Sequence, residues 1–271
     1  MERKIWRIIP LMVLLFVVNA CSKEEATGIT EKFTQISQFT GESYDLTVFY
    51  PDRQFPESPV PVILLLDGFW HYDAVSELLE EKSEAGEIPK CILVSLDYTD
   101  GKGSATRMKD LVYPVNEYVE EGVRGDLFYR FITEELFPEI EGQYNSDTTK
   151  RTIMGHSLGG FFVLYSLLDN APEPFFKKSI AASCSMGIGN NYLFVKERET
   201  ADLNTGIRQK LFMGCGNLAG EAPALHQEFF EKMKSRRYSG LRIDFEIYDA
   251  THGTDAYPTF ANGLTYIFHH D

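Results

Sequence analysis

Apolar residues are distributed along this chain in two different rhythms. Residues 32–39 (Lys32-Phe33-Thr34-Gln35-Ile36-Ser37-Gln38-Phe39) and 44–50 (Tyr44-Asp45-Leu46-Thr47-Val48-Phe49-Tyr50) alternate with period two across Thr40-Gly41-Glu42-Ser43. That pattern predicts an antiparallel hairpin with one buried face. A Pro-rich loop, residues 51–61, leads into Val62-Ile63-Leu64-Leu65-Leu66, a continuous apolar run of the kind that marks a strand buried on both faces. From there strands alternate with helices. Strands are expected at 62–66, 91–96, 151–154, 178–182, 210–214 and 241–248, and helices at 73–84, 126–141, 158–169, 221–236 and 256–269. Such alternation predicts an α/β domain with a mostly parallel sheet, led in by antiparallel strands and covered by helices on both faces. No internal repeat or second core is visible, so residues 31–271 read as one domain.

Composition narrows the partners. Of the 271 residues, 44% are apolar, ample for a core, and the net charge is −14. Without a basic stripe to displace counterions, the chain has no footprint for nucleic acid. Its His and Cys residues form no clustered ligand set, so no metal or organic cofactor is expected.

The first twenty residues stand apart. Arg3, Lys4 and Arg7 precede the apolar run from Ile8 to Val18, and Val18-Asn19-Ala20 precedes Cys21. This is a secretory signal, too short for a convincing spanning helix. It resembles a bacterial lipoprotein signal, which implies cleavage after Ala20, lipidation of Cys21 and a membrane-anchored protein outside the cytoplasm. Residues 21–30, with Ser22-Lys23-Glu24-Glu25, read as a tether. The remaining Cys91, Cys184 and Cys215 are an odd set and read as small buried hydrophobes, not a disulfide framework.

Ligands of parallel α/β sheets gather beyond the carboxyl ends of the strands, and the chemistry-bearing residues fall there. After strand 151–154 comes Gly155-His156-Ser157-Leu158-Gly159-Gly160, a G-x-S-x-G between a strand and a helix, as a nucleophile elbow requires. Ser157 needs a base to take its proton. His252 follows the last strand in a turn with Gly253, where a loop can place its ring over the elbow. His156 is expected to point elsewhere, in a packing or supporting role, and His71 to border the pocket. For the acid that orients the base, Glu221 lies at the end of the Gly-rich loop after strand 210–214, while Asp249 and a bare Ser-His dyad are the alternatives. An oxyanion needs backbone donors, for which Leu158 N–H and, after the turn at Gly68, Phe69 N–H are the candidates. Trp70 beside them is a candidate for substrate contact. Residues 99–125 read as a functional loop; its Arg107 either grips an anionic substrate or pairs with Asp110, the pair being favoured.

These residues carry a resemblance. With residues 62–68, Arg107-Met108-Lys109-Asp110-Leu111, residues 128–144 leading into 151–161, and His252 followed by Phe260-Ala261-Asn262-Gly263-Leu264, the chain resembles the putative-esterase family of α/β-hydrolases, which contains esterase D-like and enterochelin (siderophore) esterase-like enzymes. The resemblance implies a serine carboxylic-ester hydrolase with Ser157 and His252 at the nucleophile and base positions. The chain departs from many relatives at Asn217 and Ala219, where they carry a carboxylate, and at Ser183-Cys184-Ser185-Met186-Gly187-Ile188-Gly189, where they are often aromatic. Siderophore esters, acetyl or feruloyl groups on polysaccharide, and a non-catalytic glycan- or siderophore-binding lipoprotein on a hydrolase scaffold are the readings left open.

Overall fold

The computed structural model describes residues 28–101, 105–113, 122–203, 206–218, 220 and 222–269. The signal segment, Cys21 and Glu221 lie outside the described residues, as does most of the tether. One sheet collects eight strands: β1 (Ile29–Ile36), β2 (Ser43–Tyr50), β3 (Val60–Leu66), β4 (Ile92–Tyr98), β5 (Ser146–His156), β6 (Lys178–Ala182), β7 (Gln209–Gly216) and β8 (Leu241–Tyr248). Their spatial order is β1-β2-β4-β3-β5-β6-β7-β8. The hairpin β1–β2 pairs antiparallel, and β2 meets β4 antiparallel. All pairings from β4 through β3 to β8 are parallel. The chain thus has the α/β-hydrolase fold.

Period-two geometry splits the central strand between two cores. Val62, Leu64 and Leu66 join the larger cluster, with Phe128, Phe131, Phe161 and Phe162, whereas Ile63 and Leu65 join Val75, Leu79, Phe260 and Leu264 on the opposite face. The second face is covered by α1 (Gly68–Glu84) and α8 (Ala256–Phe268). On the first lie α2 (Ala105–Leu111), α3 (Gly125–Arg130), α4 (Phe137–Gln143), α5 (Leu158–Asp169), α6 (Ile188–Asp202) and α7 (Ala222–Arg236), with α3 and α4 joined by a π-helical turn at Phe131–Leu136. Cys91, Cys184 and Cys215 are free and buried.

Two helices have no counterpart in the hydropathy pattern, and both bury charge. Within the segment expected as a loop, α2 turns Asp110 and Leu111 inward. The inner face of α6 carries Leu193, Glu197 and Thr200, with Arg236 and Tyr238 bonded to the Glu197 carboxylate. Buried carboxylates with partners break an apolar stripe without breaking the helix. The expected Arg107–Asp110 pair does not form: Asp110 bonds Arg124 and Tyr44, and Arg107 reaches across to Asp67. The i,i+3 spacing would allow the pair, but both Asp110 oxygens are taken by Arg124 and Tyr44, and the Arg107 guanidinium is taken by Asp67.

Candidate active site

Glycines allow the turn at the end of β5 to be sharp. A Cβ on Gly155 would sit 2.6 Å from the Gly159 carbonyl carbon, and one on Gly160 would sit 3.0 Å from the Ala182 oxygen. Strand and helix therefore approach closer than side chains permit. Between them Ser157 adopts φ 58°, ψ −116°, a backbone conformation that residues with a side chain seldom tolerate. Its N–H donates to Ala182 O (2.9 Å) and its carbonyl accepts from Ser185 N–H (3.0 Å), so the end of β6 and the loop after it pin the strained residue. The hydroxyl is left at the start of α5, next to Leu158.

Opposite stands His252, with Nε2 3.1 Å from Ser157 Oγ. Its loop is a tight turn in which Thr251 N–H meets Thr254 Oγ1 (3.0 Å) and Asp255 N–H meets Thr251 O (3.1 Å). The Ser185 hydroxyl also lies within 3.2 Å of Ser157 Oγ. Burial, followed by the charge of His156, lowers the His252 pKa from its ordinary value, with Asp255 opposing. The ring is therefore kept neutral and able to accept a proton from a hydroxyl.

The cavity in front of this pair encloses about 640 Å³ and is lined by Asp67, Trp70, His71, Arg107, Tyr257 and Phe260 among others. Arg107 grips both Asp67 oxygens at 2.6 Å and lies over the Trp70 ring at 5.3 Å. Trp70 and Tyr257 are about half exposed, at 46% and 51%, giving the cavity an aromatic rim. His71 is pushed down to about 4 by burial and by the charges of His156 and Arg107, so it is neutral near pH 7.

Ser157, Leu158, His252, Trp70 and Arg107 thus converge. Phe69 does not: it lines a neighbouring cavity, and its N–H donates to Asp97 Oδ1 at 2.6 Å. Burial, then the nearby charges of Asp67 and Asp45, raises the Asp97 pKa against that hydrogen bond. Asp249, three residues before His252, is exposed, and no carboxylate among the described residues hydrogen-bonds the His252 ring.

Sequence reasoning missed Asp255. It stands at the N-terminus of α8 and is fully buried, yet its side chain does not cap the helix. Instead Oδ2 accepts the Gly216 N–H (2.7 Å) and the Ser183 hydroxyl, while Oδ1 lies 3.4 Å from His156 Nε2. Burial raises its pKa, but contacts from His156, Ser183 and Gly216 outweigh burial and leave it lowered. The signal was present in Thr254-Asp255 ahead of an apolar helix, but it reads as an ordinary N-cap.

The family described as "Putative esterase" matches residues 37–262. The chain is 28% identical to the ferri-bacillibactin esterase BesA of Bacillus subtilis over 240 residues, 80% of this chain and 81% of that protein. Among solved structures, the BES protein of Bacillus cereus superposes with a TM-score of 0.77 at 25% identity, covering 89% of this chain and 96% of that one. The enterobactin and salmochelin hydrolase IroE superposes with a TM-score of 0.70 at 21% identity, covering 91% and 98%. With a family match spanning most of the domain, the chain belongs to the putative esterase family and is a carboxylic ester hydrolase.

Proposed function

We propose that Ser157 and His252 are the nucleophile and base of a serine esterase that acts through an acyl-enzyme, and that its substrates are siderophore-type esters with aromatic acyl groups. The observation carrying this reading is the 3.1 Å contact between Ser157 Oγ and His252 Nε2 at the mouth of a cavity with an aromatic rim. As Oγ attacks the ester carbonyl, its proton passes to Nε2 and the C–O⁻ of the tetrahedral intermediate forms beside the Leu158 N–H at the start of α5. Collapse breaks the bond to the alcohol oxygen, which takes the proton from His252. Water then attacks the acyl-enzyme, giving one proton to Nε2; release of the acid returns that proton to Ser157.

The relatives' names motivate the siderophore class, and the cavity chemistry favours it over small acetyl groups. Trp70 and Tyr257 offer ring faces to an aromatic group of the substrate. A feruloyl ester on a polysaccharide shares the aromatic acyl group and is the second reading. A panel of catecholate trilactones, feruloyl sugars and acetylated sugars tests the choice. Highest kcat/KM on the trilactone supports it, and preference for acetyl sugars contradicts it. Residues 1–20 and Cys21 retain the reading of a lipoprotein signal, placing the enzyme on a membrane outside the cytoplasm. Fatty-acid labelling lost in Cys21→Ser would support that placement; an unlabelled wild type would end it.

A further inference from the structure

We infer that Asp255 and His156 form a positioning unit that holds the catalytic base by its backbone, standing where a carboxylate on the base's own ring is usual; the inference rests on His252 being that base. Four observations converge on it. His156 Nε2 lies 2.7 Å from the carbonyl oxygen of His252, and 3.4 Å from Asp255 Oδ1. Facing two acceptors, that nitrogen must carry a proton, so His156 donates to the His252 carbonyl. The two rings also lie against each other, with centroids 4.7 Å apart, and His71 meets His156 edge to face at 5.2 Å. Finally, Asp255 is fully buried with Oδ1 lacking a hydrogen bond of its own, while Oδ2 is held by Gly216 N–H and the Ser183 hydroxyl.

A buried carboxylate with one oxygen bonded and the other facing an imidazole is costly unless it does something for that imidazole. Here it keeps a proton on His156 Nε2, and that N–H sets the height of the His252 turn above Ser157. The carboxylate is itself a member of that turn, three residues after His252, and its anchor points lie at the ends of β6 and β7. The base is therefore referenced to three strands: β5 through His156, β6 through Ser183 and β7 through Gly216. The His in the elbow motif has a task of its own, distinct from that of Ser157.

Double-mutant kinetics on the full chain test this, with thermal melts to establish folding. His156→Leu removes the donor, whereas His156→Gln places an amide N–H close to where Nε2 was. Expected is a loss in kcat of about 10²-fold for His156→Leu with KM changed by less than about threefold, as misplacement of a catalytic group by about 1 Å produces. His156→Gln should recover most of that loss. Asp255→Asn should lose a similar factor, and Asp255→Asn/His156→Leu should be no worse than the poorer single variant, because both act through one hydrogen bond. Folded His156→Leu within about twofold of wild-type kcat would overturn the proposal, as would losses that multiply in the double variant. Should Asp255→Asn fail to fold, the Leu and Gln pair at His156 still decides. A loss near 10⁴-fold in Asp255→Asn alone, with His156→Leu active, would instead make Asp255 the direct partner of the base and overturn the unit. If Ser157→Ala retains full activity, the reading of His252 as its base fails, and the positioning unit falls with it.

Discussion

Arg107 holds both oxygens of Asp67 at 2.6 Å, and the carboxylate it holds sits in a left-handed turn at the end of β3 with φ 59°. Asp67 is buried, and Arg107 nearly so, with 11% of its side chain exposed. The pair thus shapes the wall of the cavity from beneath, and Arg107 brings Trp70 with it.

Removing one member of a buried pair leaves the other charge uncompensated. Arg107→Leu should lower stability by about 3 kcal/mol, read as a fall of roughly 6–12 °C in Tm for a domain of this size. Asp67→Asn/Arg107→Leu should regain part of that loss. A melting temperature unchanged in Arg107→Leu would show that the pair contributes nothing.

The glycines of the elbow make a sharper claim. A Cβ at position 155 meets backbone, which cannot rotate away. Gly155→Ala should cost about 1–3 kcal/mol and at least about 10²-fold in kcat/KM, since β5 and α5 must separate and carry Ser157 with them. Wild-type kinetics in Gly155→Ala would mean that the close approach is not needed for the elbow.

The depressed pKa of His252 has a direction in pH. The base works only when neutral, so kcat/KM falls as pH drops through the His252 pKa. Lowered by burial and by His156, that limb should lie below 6.5. Of the neighbouring titratable groups, His71 is neutral, His156 holds the His252 pKa down and Asp255 pulls it up. Replacing His156 by Gln removes its opposing charge and should move the limb upward. A pH–rate profile of the two proteins decides; a limb above 6.5 in wild type would contradict the account.

How much of this the sequence exposes depends on whether a residue's role is local. The strands from β3 onward and the elbow were legible, because burial on both faces and tight strand-to-helix turns leave marks in adjacent residues. The two helices α2 and α6 were not, since their inward faces carry Asp110 and Glu197, whose partners Arg124 and Arg236 are distant along the chain. Asp255 was hidden differently: its place before an apolar helix has a complete local explanation, and only the fold brings Gly216, Ser183 and His156 around it. Arg107 has Asp110 at hand along the sequence, whereas Asp67, the partner that the fold gives it, lies 40 residues away.

Every role proposed at this site depends on Ser157 being the nucleophile. The most direct test of that role is hydrolysis of a short p-nitrophenyl ester by wild type and Ser157→Ala at equal concentration, with melts confirming that both are folded. A nucleophile lost from such a site costs on the order of 10⁴-fold or more in kcat. The account predicts that the variant falls to that level and no longer forms an acyl-enzyme burst. Equal rates in the two proteins would contradict it.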